Sequence, residues 1–339
     1  MKILLIQLYQ TGDVVLTSHI PREIVKIFPD AEVDFLTFEM NAPIIENNPY
    51  INEIITTRRD AGFKSFLSLM SKIRNKKYDA LLDFHNNPRS GYISFLSGAK
   101  KRICYNETKR KMFYNRLTER MPGIAGQIKL SLLRPIVNDK NFDNKSYDYK
   151  PEIYPSPESI LNAETVLTNF GIDENDFFVT MSPTHKRDTR RWKIEHFIDT
   201  AKYLTEKGAK IILTYGPGEI KYINQNVTQV PESVFLMPEL GLRDFIALIG
   251  KAKLHIGNDS APHHIATAQN VPTFIIRGST NDGWIYGSDA HTSVELGMEC
   301  QPCGKSKCKI SDDVPCMRDL TFEKIKPELD RFIKLNSII

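Results

Sequence analysis

Strand-sized apolar runs alternating with helix-sized amphipathic runs predict an α/β protein, and three observations sharpen that expectation. The first of these runs, Lys2–Leu8, is short and apolar in the way of a strand buried in a parallel sheet. The alternation stops in a proline-bearing stretch at 138–157 and then restarts. At 339 residues the chain also exceeds what one hydrophobic core usually supports. Two doubly wound halves, 1–155 and 156–339, follow, with ligand expected in the cleft between them at the carboxyl ends of the strands.

Lys2–Leu8 reads as the first strand. It breaks at Thr11-Gly12-Asp13, and a helix is expected from Val14 to Ile27, ended by Phe28-Pro29-Asp30 because Pro cannot continue it. Glu32–Phe38 and Asn52–Thr57 read as strands with a helical Asn41–Asn48 between them. An amphipathic helix at Phe63–Asn75 leads to a strand at Tyr78–Phe84 and a helix at Pro88–Leu96. From Asn138 to Pro157 the polar residues and Pro151, Pro155 and Pro157 leave little periodicity, which reads as a linker. Beyond it, strands are expected at Phe177–Ser182, Ala209–Tyr215, Ser233–Met237, Lys253–Gly257 and Thr273–Arg277. Helices are expected at Ile194–Lys207, Glu219–Thr228, Leu242–Lys251 and Ala261–Gln269, with a C-terminal helix after a Cys-rich segment, 300–316.

With 41% hydrophobic and 25% charged residues the composition is that of a soluble globular protein. No apolar run approaches the roughly 20 residues of a spanning helix, and the apolar start stops at Gln7, too short for an export signal. Five cysteines, one of them the isolated Cys104, do not form a disulfide framework, so a reducing cytoplasm is expected. A net charge of +4 is too small to imply nucleic acid, and none is expected as a partner. The charge is uneven, however: Lys100–Arg120 holds eight Lys/Arg against Glu107 and Glu119, a local excess of +6. That run reads either as a solvated surface or as a face for an anionic partner.

Three loops that follow strands carry the chemistry. In the first, Gly12 gives freedom at the turn and Asp13 opens a helix, where it serves either as an N-cap or as a functional carboxylate. No further glycine follows, so the dinucleotide fingerprint of a dehydrogenase is absent. In the second, Ser182 to Trp192, the four cations Lys186, Arg187, Arg190 and Arg191 suit a phosphate or pyrophosphate. In the third, Gly257-Asn258-Asp259-Ser260-Ala261-Pro262-His263-His264 leads into a helix whose free N–H groups make an anion site; His264 is read as structural or functional.

Taken in order, these loops resemble the lipopolysaccharide heptosyltransferases of glycosyltransferase family nine. The matching features are Gly12-Asp13-Val14-Val15-Leu16-Thr17, Asn48-Pro49 with Ile51-Asn52-Glu53-Ile54-Ile55, Arg190-Arg191-Trp192, and Asn258-Asp259-Ser260-Ala261 followed by His264. The resemblance covers nearly the whole chain and implies the GT-B fold, two Rossmann-like domains whose parallel sheets face a central cleft. It implies heptose transfer from ADP-heptose to a lipopolysaccharide core acceptor with inversion. Asp13 would be the general base; Thr184, Arg190, Asp259, Ser260, Ala261 and His264 would hold the donor; Gly12, Lys109, Arg110 and Lys111 would lie on the acceptor side in the N-terminal domain. Two departures stand out: Arg190 replaces a common lysine, and Ala261-Pro262 replaces a glycine-hydrophobic pair. The expected partners are an ADP-sugar, a lipid-linked acceptor and the cytoplasmic face of the inner membrane.

Inverting transfer needs a base and cations for the leaving diphosphate; both are present without a D-x-D motif, so no catalytic cofactor or metal is expected. Cys300, Cys303, Cys308 and Cys316 read either as a structural zinc site or as paired or free thiols. A sugar-nucleotide epimerase of similar architecture and a non-catalytic nucleotide-sugar binder are the alternative functions.

Overall fold

Six parallel strands make the first sheet: β1 (Lys2–Ile6), β2 (Glu32–Phe38), β3 (Glu53–Thr57), β4 (Ala80–Asp83), β5 (Lys101–Tyr105) and β6 (Arg116–Thr118), in the order β3-β2-β1-β4-β5-β6. Ile3, Leu4, Leu5 and Ile6 of β1 are fully buried, which is why the run carries no polar alternation. A second sheet holds β7 (Phe177–Ser182), β8 (Ala209–Leu213), β9 (Val234–Leu236), β10 (Leu254–Asn258), β11 (Thr273–Ile276) and β12 (His291–Val294), in the order β12-β11-β10-β7-β8-β9. The computed structural model describes residues 1–137, 142–227 and 229–338, and divides into the units Met1–Tyr154 and Pro155–Ile339.

Counted from its own first strand, each sheet has the order 3-2-1-4-5-6 of a doubly wound nucleotide-binding fold. The direction of winding reverses beside β1 and β4 in one unit and beside β7 and β10 in the other. At such switch points the strand-end loops diverge and leave a crevice for ligand.

Differences from the expected elements have local causes. The helix expected over Val14–Ile27 is two helices, Thr11–Val15 and Ile20–Ile27, because Pro21 starts a helix but cannot sit within one. The strands β5 and β6 lie inside the basic run, where charged neighbours hide the buried core Ile103-Cys104-Tyr105. The short strand β12, His291-Thr292-Ser293-Val294, is too polar to read as one.

The stretch that reads as a linker is largely strapped to the first unit; its residues 138–141 and Thr228, at the end of another expected helix, lie outside the described residues. Arg22 pairs with Glu152 and with Asp148 at 3.2 Å, and its guanidinium donates to the carbonyl of Asp148 at 2.8 Å. Glu152 N–H donates to Ser18 Oγ at 2.8 Å, and buried Asn48 donates to Ser18 O at 3.1 Å. Ser156, whose Oγ accepts from Ser159 N–H, then caps the helix Pro157–Asn169. Among the described residues no helix is long and apolar enough to cross a membrane.

Candidate active site

In the first unit, the loop after β1 meets the loop after β4. Asp13 is the third residue of Thr11–Val15, whose N-cap is Gln10, so it occupies the first helical turn and not the capping position. The positive end of the short helix favours its negative charge there. Gly12 is helical and has no positive φ, so the freedom expected of it at a turn is not used.

A second group stands beside this carboxylate. Lys129, on the helix Ala125–Leu130, places Nζ 3.7 Å from Asp13 Oδ1 with only 9% of its side chain exposed, against 31% for Asp13. It also donates to Gln7 Oε1 at 3.3 Å. Burial lowers the Lys129 pKa while the Asp13 charge pulls it up, so the ammonium depends on its neighbour. Gln7 Nε2 donates to His85 Nδ1 at 3.2 Å, which leaves the His85 proton on Nε2. Burial pushes His85 down to about 4, and it is neutral at pH 7. Its ring meets Tyr9 edge-on at 4.4 Å. The sequence reading missed Gln7, His85 and Lys129; the one available signal was a lone cation inside Ile128-Lys129-Leu130. Of the expected acceptor-side cations, Lys109 and Lys111 are exposed, while Arg110 reaches the carbonyl of Asn86 at 3.4 Å.

In the second unit, one side chain ties three strand-end segments together. Asn258 at the end of β10 accepts from Trp192 N–H at 2.8 Å and donates to the carbonyls of Ser182 and Thr184 at 3.4 Å each. Trp192 is fully buried and donates its indole N–H to Leu320 O at 2.5 Å, which fixes the loop carrying Arg190. Gly278 permits a close approach there: a Cβ would lie 2.2 Å from Thr189 O and 2.5 Å from Met317 Sδ.

Arg190 Nη1 lies 3.8 Å from Asp259 Oδ2. Asp259 Oδ2 and Arg190 Nε are both buried without a hydrogen-bond partner among the described residues, so a cation and a carboxylate stand ready for a polar ligand. Burial lowers the Arg190 pKa, opposed by Asp259. Ser260 caps the helix Ala261–Ala268, and Ala261 and Pro262 begin it. Ser260 N–H donates to His263 Nδ1 at 3.3 Å, and His263 Nε2 faces Trp284 O at 3.5 Å. His263 is therefore a neutral, buried spacer, and the His264 ring stacks obliquely on it at 3.8 Å. The Thr184 hydroxyl is committed to Glu219 Oε2 at 2.5 Å, an acid the sequence reading missed; Glu219 also accepts from Gly216 N–H at 2.8 Å. Arg191 pairs with Asp188 and lies over the Tyr222 ring at 5.1 Å, away from this cluster.

Ligand-type atoms of Asp259, His263 and His264 lie within 4.8 Å of one another, a spacing that could hold a cation. Two features oppose one: the Arg190 charge is already at the carboxylate, and His263 Nδ1 already accepts an amide proton. The grouping suits an anion with hydroxyls better. In the tail, Cys316 is buried, Cys303 and Cys308 are half-buried and Cys300 is exposed. The Cys316 thiol is pushed up to about 11, first by burial and then by Cys300, Cys308 and Cys303; among the described residues no three of these sulfurs lie at metal-ligand spacing.

The chain is similar to lipopolysaccharide heptosyltransferase 3 of Escherichia coli, 26% identical over 284 residues that cover 80% of this chain and 81% of that protein. Its fold is similar to a family 9 glycosyltransferase from Veillonella parvula (TM-score 0.86, 19% identity, 98% and 97% coverage). It is also similar to the E. coli heptosyltransferase WaaC with ADP-2-deoxy-2-fluoro heptose (TM-score 0.72, 18% identity, 98% and 99% coverage). The family pattern itself matches residues 66–312, well over half of the sequence, and the chain belongs to glycosyltransferase family 9 (heptosyltransferase).

Proposed function

We propose that this enzyme moves heptose from ADP-heptose to a lipopolysaccharide core acceptor, with inversion and without a catalytic metal. The carrying observation is the pair of switch points, one presenting a half-exposed carboxylate beside a buried cation, the other a cation beside a capped helix. Asp13 takes the proton of the attacking acceptor hydroxyl as the new C–O bond forms at the anomeric carbon and the bond to phosphate breaks. Lys129 holds that carboxylate in place. The leaving ADP takes up negative charge, which Arg190 and the N-terminus of Ala261–Ala268 offset. His264, Ser260 and Thr184 complete the donor side, with Gly12, Lys109, Arg110 and Lys111 on the acceptor side. A base and an anion site suffice for this chemistry, which supports metal independence. The E. coli relative with an ADP-heptose analogue supports the choice of donor.

The enzyme works at the cytoplasmic face of the inner membrane, where its lipid-linked acceptor is made. Cys300, Cys303, Cys308 and Cys316, remote in sequence from Asp13, would be the ligands of a structural zinc, which would have to draw their sulfurs closer than they stand here. The test is Asp13→Asn, which should lower turnover by about two orders of magnitude or more while ADP affinity stays near normal. A variant that keeps more than half of the turnover would show that Asp13 is not the base. Turnover that survives exhaustive chelation would support the metal-free chemistry; its loss, with the fold intact, would sink it.

A further inference from the structure

Five large hydrophobic side chains stand exposed between Tyr92 and Leu117: Tyr92, Phe95, Leu96, Met112 and Leu117, with Met112 at 77%. Four of them come together on two elements. The helix Pro88–Leu96 presents Tyr92, Phe95 and Leu96, and the turn Lys111–Phe113 presents Met112. The half-buried Phe113 ring joins the two, 5.0 Å from the Tyr92 ring and 5.5 Å from the Phe95 ring. Gly91 makes room for it, since a Cβ there would lie 2.8 Å from Phe113 Cδ2 and 3.4 Å from Arg110 Cδ. The surface is thus a packed platform and not scattered apolar residues.

Its surroundings are cationic. Residues 84–118 hold Arg89, Lys100, Lys101, Arg102, Lys109, Arg110, Lys111 and Arg116 against a single acid, Glu107. Arg102, Lys109 and Lys111 border the platform, as does Arg74 from outside this stretch: Arg102 Nε donates to Phe113 O at 3.0 Å, Arg74 Nη1 to Leu96 O at 3.0 Å, and Lys109 and Lys111 flank Met112 in sequence. Arg110 and Thr108 anchor the turn on Asn86, the neighbour of His85 in the loop that borders Asp13.

We infer that this platform docks the enzyme on an anionic lipid bilayer, its aromatic and Met side chains entering the headgroup boundary and its cations resting on lipid phosphates. Aromatic and flexible apolar groups ringed by Lys and Arg, with almost no acid, complement that surface in both polarity and charge. A protein partner would need a matching acidic and apolar face; a bilayer presents both everywhere. The inference rests on the membrane-linked acceptor proposed above, and it adds an apolar anchor to simple charge attraction.

The triple variant Tyr92→Ser/Phe95→Ser/Met112→Ser tests it by co-sedimentation with vesicles of phosphatidylglycerol and phosphatidylethanolamine. At about 0.5 M salt the Debye length falls to about 4 Å, so surface charge is largely screened and the apolar anchor dominates what binding remains. Wild type should keep measurable binding there, and the variant should lose at least tenfold, with ADP affinity and unfolding temperature unchanged. Equal binding of the two proteins would overturn the inference. So would a wild type that dimerises in solution through this face while the variant stays monomeric. Transfer to a delipidated, water-soluble acceptor is measured alongside: its failure in wild type would count against the proposed reaction and leave the vesicle result standing.

Discussion

Replacing Arg190 with Ala removes the cation that stands 3.8 Å from Asp259 and leaves that buried carboxylate without its counter-charge. At an effective dielectric constant of about 20 the gross attraction at this distance is roughly 4 kcal/mol. The net value is smaller, because 23% of the Arg190 side chain is exposed to screening water. Binding ADP brings a diphosphate to the same place, so the variant loses a charge-assisted contact worth about 1.5–3 kcal/mol, roughly tenfold to a little over a hundredfold in Kd. The loss should fall toward the upper end, since the uncompensated Asp259 then repels the ligand. Two further variants isolate the cause. Arg190→Lys should recover part of the affinity, and Asp259→Asn should recover part of it within the Arg190→Ala background, a coupling that independent sites would not show. Titration calorimetry with ADP reads all three, and ADP-dependent thermal stabilisation provides a second measure, worth about 2.7 kcal/mol at a hundredfold excess over Kd. Unchanged ADP affinity in Arg190→Ala, or strictly additive effects in the double variant, would refute the assignment.

Buried histidines should make the fold acid-sensitive. Burial depresses His19 and His255 to about 3 and His85 to about 4, below an unfolded value near 6.5, so the unfolded chain binds more protons between those limits. Stability is fully present above about pH 6.5 and falls as pH drops toward 4, by up to about 1.4 kcal/mol per unit for each histidine; an unfolding temperature flat over that window would contradict this. If the cysteine cluster holds a structural metal, chelation should lower thermal stability before it affects chemistry, and tag-free protein free of zinc and iron by elemental analysis would remove the idea. Reversing Lys109, Arg110 and Lys111 to Glu should weaken binding to anionic vesicles at low salt and leave ADP affinity alone. Normal vesicle binding and acceptor kinetics would return those residues to ordinary solvated surface.

The sequence makes strands legible where both faces are buried. β2 and β7 run over the expected residues because Glu32–Phe38 and Phe177–Ser182 are buried at all but their first positions, with the polar Asp34, Thr37 and Thr180 buried among apolar neighbours. It hides strands that begin with charge: β5 starts with the half-buried Lys101-Arg102, whose heads donate to the carbonyls of Pro135 and Phe113. The same division applies to the candidate site. Asp13, Arg190 and Asp259 lie in loops whose local composition announces them. Lys129 and His85 reach the Asp13 cluster from 116 and 72 positions away, through packing that no local pattern encodes. Thr184 illustrates the converse, since its loop position is plain but its commitment to Glu219 depends on how β7 and β8 lie side by side.

The strap across the first unit bears on how the chain is made. Arg22 is synthesised early, yet its carboxylate partner Glu152 and the carbonyls of Asp148 and Lys150 lie 126 to 130 residues later. All six strands of the first sheet are complete by Thr118, so the sheet can pair while the strap is still untranslated. Until it arrives, the Arg22 guanidinium has Glu23 beside it, and water must take the places of Asp148 and Glu152. At about 5–20 residues per second the delay from Thr118 to Glu152 is roughly 2–7 s on the ribosome. A nascent chain released before that point would carry a finished sheet with an unsealed flank, the form a chaperone or protease would recognise.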